Sequence, residues 1–335
     1  MRIIKTLSCI LILASFSVLS TGCIKKIALK KIAGALTGEG SAVFTGDNDP
    51  QLIADALPFA LKTYESLLEG LPDDVNLLLA TGKAFCMYAY AFIHVPADTI
   101  SDVRIDAKKA HLIRAKNMYL RAKGYLFRAL EIRHPGFTAY IDANKTDSAL
   151  AMTTLADTAL LYWAGASWMG AFTADKFDMS LALNMPKAVA FMNHLLEMHE
   201  FYGNGSVHDF FISYYGSMPK SMGGDEKKAR EHFTRSLELS QGKSAAPYVS
   251  LATSVCVTNQ DQKEFTELLN KALAIDVNQY PAGRLANIIS QRKASWLLEN
   301  IDNYFLLVEE VYEDNKNTEN GEKPIVEEQG EEPNQ

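Results

Sequence analysis

Little in this sequence points to bond-making chemistry. It has four cysteines, and Cys9 and Cys23 fall at the extreme N-terminus, leaving Cys86 and Cys256. Two thiols cannot build a disulfide framework, and each sits in an apolar helical pattern, the usual setting of a buried core cysteine. No segment of useful length alternates apolar and polar residues, which argues against a sheet. The chain is also short of membrane-length apolar runs. Thr158 to Ala174 offers seventeen uncharged residues, below the roughly 20 that a span needs. Gly165, Ser167 and Gly170 within it suit a buried central helix instead.

The N-terminus carries a different message. Arg2 and Lys5 precede an apolar stretch from Leu7 to Leu19, the layout of a secretory signal. Leu19-Ser20-Thr21-Gly22-Cys23 resembles a bacterial lipoprotein processing box. Residues 1–22 are therefore expected to leave as a signal peptide, and Cys23 is expected to carry the lipid. Ile24 after the cysteine favours the outer over the inner membrane, with the chain facing the periplasm. Export also argues against nucleic acid as a partner. Lys25, Lys26, Lys30 and Lys31, followed by glycines at 34, 38 and 40, read as a basic tether over 23–48 near anionic headgroups. At the other end, residues 309–335 hold ten acids against Lys316 and Lys323. This reads as a disordered acidic tail. It accounts for the formal net charge of −7 and leaves the body near neutrality.

Residues 49–308 carry the spacing of stacked helical hairpins. Ala60, Tyr64 and Leu67, closed by Pro72, match the second helix of a tetratricopeptide repeat. Leu78, Thr81, Gly82 and Phe85 match the first helix of the next. The second-helix spacing returns at Ala122/Leu126/Ala129, Ala188/Met192/Leu195, Ala229/Phe233/Ser236 and Phe265/Leu269/Ala272. Such pairs bury their apolar faces only by stacking. The expectation is an all-α, degenerate tetratricopeptide-like array with inserted helices. Asp49-Pro50 starts the first helix and Pro58 is expected to kink or divide it. Asp73 is expected to cap the second. Further helices are expected over 106–133, 146–172, from Pro186, over 207–215, and over 284–310.

The stretch FTGDNDPQLIADALPFALKTYESLLEGLP followed by DDVNLLLATGKAFCMYAYAFI, from Phe44 to Ile93, resembles the T component of tripartite ATP-independent periplasmic (TRAP) transporters. Weaker likeness continues through YLFRALEIRHPGF and the Trp163/Trp168 helix. The resemblance implies an all-helical repeat lipoprotein, assembly as a homotrimer, a periplasmic solute-binding receptor as partner, and an apolar cleft or channel. It does not extend to the acidic tail.

Motifs for catalysis fall away on inspection. His194 and His199 stand five apart, about 500° round a helix, which does not present both to one metal. Gly165 to Gly170 has the wrong spacing for a nucleophile elbow and follows no strand. Gly34 to Gly40 lacks the lysine of a phosphate loop, and Asp47-Asn48-Asp49 is better explained as helix capping. No catalytic residue, metal or cofactor is expected. Two candidate binding features remain. One is an aromatic set, Phe85, Tyr88, Tyr90, Phe92, Trp163, Trp168, Tyr214 and Tyr215, of which most should be core and a minority could line a cavity. The other is the basic region Arg104 to Arg133, with nine Lys or Arg, which reads first as a solvated outer face and second as a contact for an acidic partner or a carboxylate solute. A general tetratricopeptide scaffold for envelope assembly or peptide binding is the alternative reading.

Overall fold

A computed structural model describes residues 25–38 and 41–306. The signal segment, Cys23 and the acidic tail lie outside the described residues. Among the described residues every regular element is a helix. The N-terminal part holds α1 (25–37), α2 (Ser41–Thr45), α3 (Pro50–Gly70) and α4 (Val75–Ala89). A π turn, Tyr90–His94, and α5 (Val95–Asp98) continue α4. Then come α6 (Ile105–Arg133), α7 (Phe137–Asp142), α8 (Thr146–Leu150), α9 (Thr158–Ala174) and α10 (Met179–His199). The C-terminal part holds α11 (Ser206–Ser217), α12 (Glu226–Leu239), α13 (Ala246–Leu251), α14 (Val257–Asn259), α15 (Gln262–Leu273) and α16 (Arg284–Glu299).

Local chemistry sets the ends. Asp49 accepts from the N–H groups of Gln51 and Leu52, and Pro50 occupies the first turn, where its missing N–H costs nothing. Pro58 does not divide α3, which runs on to Gly70. Asp74, rather than Asp73, caps α4 by accepting from Leu77 N–H at 3.0 Å. The helix expected over 146–172 breaks in two. Thr154 and Asp157 form a reciprocal capping box that starts a new helical run at 155. The helix expected from Pro186 begins seven residues earlier, because Asp178 caps it at Ser180 and Leu181 and the proline is absorbed in its interior. The last long helix ends at Glu299 rather than 310.

Packing runs in neighbour pairs: α3 on α4, α4 on α6, α6 on α9, α9 on α10, α11 on α12, α13 on α15, and α15 on α16. Glycines permit the closest approaches. A Cβ on Gly82 would come within 2.5 Å of Leu126 Cγ, and one on Gly170 within 2.6 Å of the Tyr119 ring. The run does not end free. α16 returns to α2 and α3, Arg284 donates to the Gly46 carbonyl at 3.1 Å, and Lys293 reaches Asp98 at 3.4 Å. Residues 75–98 are long and apolar enough to cross a membrane, yet half of that run is buried inside the protein. Contact with α3, α6 and α9 accounts for its apolarity.

Candidate ligand-binding cleft

The predicted aromatics separate into distinct environments. Phe85 is buried, stacked on Tyr125 with ring centroids 5.9 Å apart, and covered by the Arg121 guanidinium. Trp168 is buried among Phe127 and Phe191. Tyr88 is buried against Phe92, which keeps part of its surface. Arg114 donates to the Tyr88 hydroxyl at 3.3 Å, and Tyr90 is exposed at the π turn. Tyr214 stacks on Phe210 and donates to the Met222 carbonyl. Tyr215 stacks on Phe211 and His232. These residues are not brought to one place.

Trp163 stands apart. It meets Tyr162 edge to face at 5.1 Å, and Tyr162 meets Tyr202 at the same separation. The Trp163 indole N–H faces the Tyr202 hydroxyl, and the Ser206 hydroxyl donates to the Gly203 carbonyl at 2.7 Å. Lys83 lies over the Trp163 ring with Nζ 5.8 Å from its centroid, a favourable cation–π placement. Burial raises both tyrosine hydroxyls and pulls the Lys83 ammonium below the ordinary lysine value. Yet Lys83, Tyr162, Trp163 and Tyr202 are only half-buried. Each is set among dense surroundings while keeping part of its surface accessible. Leu79, one turn before Lys83, and Ala166, one turn after Trp163, add half-buried apolar positions on the same two helices.

Beside this wall a polar cluster joins α11 to α12. Ser236 donates to Asp209 at 2.6 Å, and burial pushes the Asp209 carboxyl up to about 7. The Nδ1 atoms of His208 and His232 lie 2.8 Å apart. Burial lowers both imidazoles, His232 to about 4 with the help of His208 and Lys228. Arg235 bonds both carboxylate oxygens of Glu200, at 2.7 and 2.9 Å.

The other sequence candidates find ordinary partners. His194 pairs with Thr153 Oγ1 at 3.0 Å and His199 contacts the Tyr202 ring. Among the described residues no group of three potential metal ligands converges. Cys86 and Cys256 are free and buried, and burial pushes both thiols up to about 12, far from a reactive thiolate. Much of the basic region is engaged within the fold. Lys116 holds Asp175 and Asp178, Arg121 holds Glu65, Arg128 approaches Asp73, and Arg133 holds Asp157.

Lys83, Tyr162, Tyr202 and Asp209 escape a reading of apolar periodicity. One signal was available: Lys83 is the single Lys, Arg, Asp or Glu between Asp74 and Asp98. A charge kept in so apolar a helix requires a reason.

Comparison with known proteins agrees with the fold. An uncharacterised protein of Treponema pallidum (strain Nichols) is 31% identical over 267 residues, covering 79% of this chain and 83% of that protein. The family described as TRAP transporter T-component matches residues 46–305, which takes in α3 to α16. The chain belongs to the T components of TRAP transporters.

Proposed function

We propose that this T component is an accessory lipoprotein that docks the periplasmic solute-binding receptor of its transporter. In this reading it holds an apolar or carboxylate ligand in its helical recess. Cys23 would carry the lipid and keep the chain at the periplasmic face of the envelope, on the outer membrane by the identity of Ile24. Homotrimeric assembly follows the family resemblance, and a tetratricopeptide-like arrangement fits the neighbour-by-neighbour packing.

The observation that carries the ligand reading is the half-buried wall of Lys83, Tyr162, Trp163 and Tyr202. Aromatic rings supply apolar area with few rotatable bonds, and a lone ammonium supplies orientation. Neither requires a reacting residue, so the proposed role is binding without transformation. The docking claim has its own test. Coexpression with the solute receptor, followed by mild low-salt purification, should recover both proteins together. Recovery of the T component alone, or with extended peptides in place of the receptor, would overturn the docking claim.

A further inference from the structure

The lysines that follow Cys23 stand on a helix packed against the body. α1 (25–37) carries Lys25, Lys26, Lys30 and Lys31, all exposed. Leu29, Ala33 and Leu36, at helical spacing, are covered. Ala33 is buried in the core, and the Tyr64 hydroxyl donates to the Leu36 carbonyl at 3.1 Å. Leu29 lies on Gly70, where an added Cβ would meet Leu29 Cδ1 at 2.5 Å. Ile27 and Lys31, one turn apart, stand opposite these covered positions, and both are exposed.

Gly70 identifies the side of α3 that α1 sits on. Leu52, Phe59 and Gly70 fall within about 20° of one another round that helix. Phe59 is 79% exposed and Leu52 56%. The lysine-bearing end of α1 and these two apolar side chains therefore share one side of α3. α1 holds no acid, and of the acids on α3 only Asp55 stands within a turn of Phe59. The face is apolar and basic together.

Its place in the chain says what covers it. Lys25 follows Cys23 by two residues, a reach of about 7 Å. A lipid on Cys23 thus holds the start of α1 at headgroup level. Lysines beside an anchor are attracted to anionic headgroups, and exposed apolar side chains add area at the interface. Exposure alone does not single out this face. Phe177 and Met179, at the turn between α9 and α10, are exposed too, but nothing ties them to the anchor.

We infer that the outer side of α1 and the Leu52/Phe59 stripe of α3 form a face that lies on an anionic phospholipid surface and fixes the orientation of the helical body on the bilayer. This rests on the reading of Cys23 as the lipid site and goes beyond it, since an anchor alone leaves the body free to tumble. The lysines meet headgroup phosphates, and Ile27, Leu52 and Phe59 enter the interface.

Two arms separate the face from the anchor. In the first, the mature chain with Cys23→Ser, which cannot be lipidated, is sedimented with vesicles of equal parts phosphatidylglycerol and phosphatidylcholine. It should bind these and not pure phosphatidylcholine, and less as salt rises. Lys30→Glu with Lys31→Glu should weaken binding by about 25-fold or more, about fivefold for each lysine lost. Phe59→Ser should weaken it several-fold with the salt dependence unchanged. In the second arm, the lipidated full chain carries a fluorophore at Phe59→Cys or at Phe177→Cys, on the same vesicles doped with nitroxide lipid. Cys86 and Cys256 are buried and escape the label. The label at 59 should be quenched and the label at 177 should not. Binding of the Cys23→Ser chain to neither vesicle, or to both equally, overturns the face, as does equal quenching at the two positions. An oligomer in solution that Phe59→Ser dissolves would give the face to a second copy and overturn it as well. The mass of the N-terminal peptide reads the anchor separately. An unmodified Cys23 with selective vesicle binding intact removes the anchor and supports the face. Thermal melting checks that the variants fold, and the lipid and salt comparisons of the Cys23→Ser chain decide without them.

Discussion

Phe127, Phe137, Trp168 and Phe191 meet ring to ring between α6, α7, α9 and α10. Between α11, α12 and α15 the corresponding space holds two histidines, an aspartate, a serine and an arginine–glutamate pair. Both regions are helix on helix, yet they cohere by different physics. The first depends on apolar area and close packing, which are insensitive to pH and salt. The second depends on polar groups that cost little only while each keeps its partner. The two regions meet where Tyr162 of α9 packs on Tyr202, just before α11. One side supplies rigid rings and the other a responsive polar border.

Substitutions that strike one region at a time sharpen this contrast. Phe191→Ala empties the centre of the ring cluster and should cost about 3–5 kcal/mol in denaturant unfolding. The loss should be the same at low and high salt. Arg230→Met removes two bonds to Glu264, at 2.6 and 2.8 Å, and one to Glu226 at 2.9 Å. Its side chain is 39% exposed, so solvent screens the pair and the cost should be only about 1 kcal/mol, shrinking as salt is added. A salt-independent loss for Arg230→Met would mean that packing, not charge, joins α12 to α15.

A further contrast is in pH dependence. Asp209 titrates near 7 in the fold against about 4 in the unfolded chain. The folded state therefore holds its proton longer, and this group's contribution to stability falls as pH rises through that interval. His232 is the opposite case, lowered to about 4 from its ordinary value near 6.5. The unfolded chain binds that proton first, so stability falls as pH drops through the same interval. His208 shifts in the same direction as His232. The slopes oppose one another in the native protein. Asp209→Asn should therefore steepen the rise of stability between pH 4 and 6.5, read from melting temperature against pH. An unchanged slope would show that Asp209 is already well solvated.

The contrast also explains what was readable in the residues alone. Helical periodicity placed most of the long helices, and small residues at Gly82, Gly165 and Gly170 marked the close approaches seen against α6 and α10. Phe85 and Trp168 lie in the core, where the majority of that aromatic set was expected. Helix starts were misplaced where a proline drew attention from the cap upstream, as at Asp178 before Pro186. The polar region was illegible for a different reason. His208 and His232 lie 24 residues apart and Arg230 and Glu264 lie 34 apart, so only the tertiary fold makes them partners. Lys83 was visible as an isolated charge, but spacing arguments weigh apolar positions and passed over it. The return of α16 to α2 and α3 also required the structure, because nothing local announces a contact between Arg284 and Gly46.

The central claim of the proposed function is that this T component docks the solute-binding receptor of its transporter. The most direct measurement is the equilibrium affinity of the purified full chain for that receptor. The account predicts saturable one-to-one binding at low salt. No detectable binding under those conditions would contradict it.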